Sequence, residues 1–193
     1  MNQREKAKKE TREKLLAAAK EEFVESGLLN ISTVDIAQRA GVAHGTVFFH
    51  FRNKENLLLE VFDRELLKLT DELYLQLHGP HTFADLLNTY LDFLEREETF
   101  FAIIARETPF YSPELRRMIL GREAAIRHYF YQALQKAIEQ QQYKSVDITA
   151  ALNFLFGALN YYLCLRESFT SEGSVIKEKR RTIVDTFIQL LKK

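Results

Sequence analysis

Thr33, His44, Thr46, His50 and Lys54 lie close together in the N-terminal third of the chain, with Ala43, Gly45, Phe48 and Phe49 among them. These types at these spacings offer hydrogen-bond donors, not a nucleophile with its base. An imidazole can donate to a guanine acceptor, and a threonine can offer its hydroxyl or its methyl to a base edge. A lysine, or a histidine further along, can hold a phosphate. Gly45 would let the backbone approach a partner closely. The sequence has no Ser-His-Asp spacing, no cluster of metal-ligating residues and no glycine-rich phosphate loop, so neither catalysis nor a cofactor or metal is expected.

These side chains are best positioned by two short helices around a glycine turn. Ser32 offers an N-cap oxygen with Asp35 as its capping-box partner, and Ile36, Ala37 and Ala40 follow at helical spacing. Gly41 stops this helix by tolerating positive φ, and Val42 anchors the turn. A second helix starts near Ala43 or His44. Val47 and Phe51 would face a core, leaving His44, Gly45, Thr46, Phe48, Phe49 and His50 largely outward. One helix face cannot bury Phe48, Phe49 and Phe51 together, so at least one aromatic should be exposed. Singly, each residue could be ordinary core or solvated surface; together in this order they form a helix-turn-helix, which points to DNA.

The stretch from about Thr11 to Leu59 resembles the DNA-binding domain of the TetR family of transcriptional regulators. Leu15, Leu16, Ala19, Phe23 and Gly27 match that family's first helix and its closing glycine. Thr33, Ile36, Ala37 and Gly41-Val42 match the second, and Gly45-Thr46, Phe48-Phe49, His50-Phe51 and Lys54-Glu55 match the third helix and the start of the fourth. The resemblance implies that Thr33 offers its hydroxyl and N–H to one phosphate, Lys54 holds a second, and His44 and Thr46 read bases. Related proteins carry a tyrosine where Phe48 stands. Losing that hydroxyl costs about 1 kcal/mol of positioning and leaves apolar contact with a sugar or a thymine methyl.

The charge distribution fits this reading modestly. The chain balances 27 basic against 27 acidic residues, while residues 1–54 hold 10 basic and 7 acidic ones. Arg4, Lys6, Lys8, Lys9 and Arg12 make a basic arm that could follow a DNA backbone or simply be solvated.

With 193 residues, 46% hydrophobic, the chain suffices for a helix-turn-helix domain over 1–54 and a larger helical domain over 55–193. Strand-like alternation is absent, and an all-α fold of about nine helices is expected. The fourth helix spans Lys54 to Leu77 and stops at His78-Gly79-Pro80; the fifth, capped by Thr82 and Asp85, runs from Phe83 to Glu95; the sixth from Glu98 to Glu107. Ser112 and Pro113 open a seventh reaching Gln142. An apolar eighth covers Asp147 to Phe169, and a ninth Ser174 to Leu191.

Asn153 and Asn160 interrupt the most apolar helix and no signal peptide starts the chain, so no membrane span is expected and a cytoplasmic location is. Cys164 could be a thiol sensor, although a buried structural cysteine is the commoner case. His78 and His81 could share a metal but more often sit idle in a loop.

The resemblance further implies a homodimer built from helices eight and nine. Leu152, Leu155, Phe156, Leu159, Tyr162 and Leu163 on one, and Ile176, Ile183, Val184, Phe187, Leu190 and Leu191 on the other, supply apolar surface for it or for the protomer core. It also implies an effector pocket. Phe62, Leu66, Tyr90, Phe93, Phe101, Phe110, Tyr129 and Phe130 would hold an apolar or aromatic molecule oriented by Arg106, His128, Asn153 or Asn160. The expected protein is a homodimeric repressor on an inverted-repeat operator, released by that effector. Alternatives are a ligand-independent or partner-controlled regulator, or a helical hydrophobe carrier or enzyme retaining the DNA module.

Overall fold

The computed structural model describes residues 2–78, 82–170 and 173–192. Among them the chain forms ten α-helices, one 3-10 turn and no strand: α1 (Gln3–Asn30), α2 (Thr33–Arg39), α3 (His44–Phe51), α4 (Lys54–Leu77), α5 (Phe83–Arg96), α6 (Glu98–Glu107), the 3-10 turn (Thr108–Phe110), α7 (Pro113–Glu139), α8 (Ile148–Cys164), α9 (Arg166–Phe169) and α10 (Val175–Leu191). The stop expected at Gly79-Pro80 and the partner histidine His81 lie outside the described residues. The chain packs as two compact units, Met1–Glu65 with Phe110–Ile119, and Leu66–Pro109 with Leu120–Lys193.

The first unit holds the helix-turn-helix. Ser32 caps α2 by accepting from the Asp35 N–H at 3.1 Å. Its hydroxyl also donates to the Asp35 carboxylate, instead of Asp35 reaching the Ser32 backbone. The turn closes as a Schellman motif: Val42 N donates to Ala37 O at 3.0 Å, and Gly41 N to Gln38 O at 3.1 Å. Gly41 takes φ 67, the left-handed conformation that motif requires. Gly27 breaks the helical geometry of α1 at φ 72, so the closing glycine lies inside the helical span. Leu15, Phe23, Ile36, Val47, Leu57 and Phe62 fill the core, with the Phe23 and Phe62 rings edge to face at 4.8 Å. Each such buried side chain contributes about 2 kcal/mol.

In the second unit, Phe83, Tyr90, Phe130 and Phe156 pack ring against ring at 5.3 to 5.9 Å. Thr82 and Asp85 form a complete capping box on α5. The seventh helix ends at Glu139, short of Gln142, because Gln141 turns to φ 59 and Gln142 N closes onto Ala137 O. The eighth helix breaks at Leu165, leaving Arg166–Phe169 as the separate short helix α9; the predicted ninth helix is α10.

Glu98 organises the start of α10. Only 5% exposed, its carboxylate accepts from Val175 N and Ile176 N at 3.0 Å each and from the Ser174 hydroxyl, with Arg166 Nε 3.7 Å away. A buried carboxylate here satisfies N–H groups that a helix start leaves open and complements its dipole. Contacts between Glu98 and residues 174–176 carry no local sequence signal.

Candidate nucleic-acid interface

Helix α3 turns Val47 and Phe51 inward and leaves Ala43, His44, Gly45, Phe48 and Phe49 exposed, with Thr46 and His50 half-buried. Phe49 is 70% exposed and Phe48 43%, so two of the three aromatics are left outside. A Cβ built on Gly45 would meet nothing within 4 Å, so nothing within the protein crowds the backbone there.

His44 is held from two sides. Its Nε2 lies 2.9 Å from Thr33 Oγ1, joining the starts of α2 and α3, and its ring meets Phe48 edge to face at 5.1 Å. Thr33, N1 of α2, is half-buried with its hydroxyl in that bond.

The far end of α3 is held by Arg12. Its Nη1 donates to the His50 carbonyl at 2.7 Å, its guanidinium lies 4.2 Å from the Phe51 ring centroid, and it pairs with Glu60. Of the basic arm, then, Arg12 is built into the unit. Lys8 stays nearer the surface, its Nζ 5.3 Å from the Phe49 ring centre. Arg4, Lys8, Thr11, Thr46, Phe49 and His50 line an open groove of about 630 Å³ between the first turns of α1 and the outer face of α3. It combines cationic, hydroxyl and aromatic groups, a composition suited to a sugar-phosphate strand, with one carboxylate, Glu5, which accepts from Asn2 N at 3.1 Å.

Burial, with the charges of Arg12 and Lys8, lowers the His50 pKa from its usual 6.5. Its Nδ1 is buried without a hydrogen-bond partner among the described residues. Lys54, half-buried, donates to the Ile31 carbonyl at the end of α1 at 3.0 Å. Arg39 ties α2 to α1 through Glu21, Glu22 and Glu25, and hydrogen bonds to Glu25 first and Glu22 next raise its pKa. The Arg12, Arg39 and Lys54 ties join residues 14 to 48 positions apart, beyond the reach of helical periodicity.

Residues 15–61 match the model of the bacterial regulatory proteins of the tetR family, and residues 81–163 that of the Tetracyclin repressor-like C-terminal domain. The chain belongs to the TetR family of transcriptional regulators. It is 35% identical over 80 residues to the uncharacterized HTH-type transcriptional regulator YvdT of Bacillus subtilis, an alignment covering 42% of this chain and 41% of that one. The chain thus matches about two fifths of that relative's length. In fold it is similar to the TetR family regulator PfmR of Thermus thermophilus, with 22% identity, TM-score 0.76 and coverage of 91% and 97% of the two chains. It is likewise similar to the regulator FadR of Bacillus subtilis in complex with stearoyl-CoA, with 19% identity, TM-score 0.77 and coverage of 91% and 96%.

The effector residues expected from the TetR resemblance fall in both units. Tyr90 and Phe130 sit in the aromatic cluster of the second unit, and burial pushes the Tyr90 hydroxyl pKa up. Phe93 and Phe101 pair at 5.9 Å, and Leu66 is buried in the same unit. Phe62 belongs to the core of the first unit, beside Tyr111. Phe110 is exposed, Tyr129 half-buried, and Arg106 lies between Glu107 and Glu167 at 3.8 and 3.9 Å. Asn160 is exposed on α8. Asn153 accepts from Arg127 at 3.1 Å; the two share a depression of about 250 Å³ with His128 and Tyr131. Arg127, which the sequence reading passed over, also covers the Phe156 ring at 4.4 Å.

The apolar residues expected at a dimer interface lie largely within the protomer. Leu152, Leu155, Phe156, Leu159, Leu163, Ile176, Ile183, Phe187 and Leu191 are buried in it. The outer face of α8 carries Phe154 (73% exposed), Gly157, Ala158 and Tyr161 instead, and α10 exposes Leu190. Cys164 is half-buried, and the His78 ring is 2.8 Å from the Tyr74 carbonyl. No helix among the described residues is long and apolar enough to cross a membrane.

Proposed function

We propose that this TetR family member is a cytoplasmic repressor that reads an inverted-repeat operator as a homodimer, and is not an enzyme. Residues 1–54 supply the DNA reader and 55–193 the effector and dimer functions. The observation that carries the reading is the exposed face of α3. A major groove accepts one helix, and here it would meet His44, Gly45, Thr46, Phe48 and Phe49. Thr33, His50 and Lys54 would flank them on phosphates, Lys54 with the donors left by Ile31.

The dimer would form through α8 and α10, on the face carrying Phe154, Gly157, Ala158 and Tyr161. Exposed aromatics beside small residues let two helices approach closely, and the twofold axis would set two recognition helices one or more turns of DNA apart, each turn about 34 Å.

The effector would be apolar. The phenylalanine-rich interior of the second unit supports this, as does the fold shared with a FadR solved with stearoyl-CoA. Entry of an acyl chain would part the Tyr90, Phe130 and Phe156 rings, with Arg127 available to an anionic head. A ligand weakens DNA binding only as far as it prefers the conformation that does not bind, typically about 1 to 3 kcal/mol.

The test is titration of a selected operator duplex with the protein, alone and with acyl-CoA of increasing chain length. Release that rises with chain length supports this effector class. Undiminished affinity at saturating acyl-CoA would exclude it and favour control by a partner protein.

A further inference from the structure

The Thr33 Oγ1 to His44 Nε2 hydrogen bond of 2.9 Å determines more than the position of a ring. A hydroxyl has one proton and two lone pairs, whereas a neutral imidazole has one N–H and one lone pair. The bond can therefore form with either partner as donor while the threonine proton is uncommitted. A phosphate oxygen can only accept. A Thr33 hydroxyl in contact with phosphate must spend its proton there and can then only accept from His44.

We infer that Thr33 is a positioning residue for base recognition, holding His44 on DNA as the Nε2–H tautomer so that Nδ1 faces the base edge as an acceptor. The inference rests on the reading of Thr33 as a phosphate contact. Phe48 supports it sterically, since its ring meets that of His44 at 5.1 Å and 78° and limits rotation of the imidazole. In the major groove an acceptor pairs with the amino group of adenine N6 or cytosine N4, whereas guanine presents only N7 and O6 acceptors. His44 held in this way selects adenine or cytosine and disfavours guanine. This reverses the preference that a donating imidazole would have.

The test uses the duplex selected by the full-length protein and all single base-pair variants of it, titrated with wild type, Thr33→Val, Thr33→Ser and His44→Ala. Wild type should show one base pair per half-site at which adenine or cytosine is preferred over guanine by about tenfold. His44→Ala should erase that preference there and nowhere else. Thr33→Val should bind every duplex about five- to tenfold more weakly and also admit guanine at that base pair. Thr33→Ser should restore both properties. In the wild-type complex, the 15N spectrum should show His44 Nδ1 unprotonated.

If Thr33→Val loses affinity uniformly while the discrimination survives, the phosphate contact stands and the tautomer inference falls. If Thr33→Val keeps full affinity, the phosphate reading itself fails and takes the inference with it. A guanine preference at the position that His44→Ala affects, or no such position, would also overturn it.

Discussion

Lys54 Nζ donates to the Ile31 carbonyl at 3.0 Å, so the residue that opens α4 also satisfies the end of α1. Lys54→Ala should lose this bond and the proposed phosphate contact together. Removing a charged donor from a part-buried carbonyl costs about 1.5 to 3 kcal/mol, reduced here by solvent access. Urea unfolding should show the stability loss. Titration at two salt concentrations should show weaker binding to every sequence and a salt slope shallower by about 1. Lys54→Arg should retain most of the affinity.

Arg12 should behave as a structural residue despite its place in a basic arm. Its guanidinium meets the His50 carbonyl, Glu60 and the Phe51 ring at once. Arg12→Lys keeps the charge but cannot span all three, so thermal unfolding should reveal a loss of about 2 kcal/mol. Lys8→Ala should leave the melting temperature in place and reduce affinity for all duplexes alike.

His50 should make the fold sensitive to acid. Burial, then the neighbouring Arg12 and Lys8 charges, holds its pKa below the usual 6.5. Between the native and unfolded values the unfolded chain binds more protons, so its contribution to stability falls as pH drops through 6.5 and levels off only below the native value. His50→Gln should flatten that part of a stability profile taken from pH 8 to 5. An unchanged slope would place the titration elsewhere.

The exposed α8 face predicts a clean separation of folding from assembly. A Cβ at Gly157 meets nothing within 4 Å, so Gly157→Glu is accommodated by the protomer and should stabilise the helix by about 0.5 kcal/mol or more. At the α8 contact proposed for the dimer, the same carboxylate should prevent association. Sedimentation should report monomers with an unchanged or higher melting temperature, and operator affinity should drop sharply.

Much of the fold was legible because its signals are local. Ser32, Gly41, Thr82 and Ser112 marked helix ends through the hydrogen bonds they make, and the positions of Val47 and Phe51 correctly implied exposed aromatics on α3. What periodicity could not do was rank two apolar faces on one helix. Leu152, Leu155 and Leu159 carried the stronger signal and are buried in the protomer, leaving Phe154, Gly157 and Tyr161 outside. Nor could it show Arg12 on the His50 carbonyl, or Glu98 at the start of α10, contacts set by packing across 38 and 77 positions. The breaks at Gln141 and Leu165 also fall in sequence without glycine or proline to mark them.

The most direct test of DNA reading by α3 is selection of duplexes from random-sequence DNA by the purified full-length protein, followed by titration of the winner at two salt concentrations. The expected result is an enriched inverted repeat bound with nanomolar affinity, at least about a thousandfold tighter than unrelated DNA. Weak, steeply salt-dependent binding without sequence preference would contradict it.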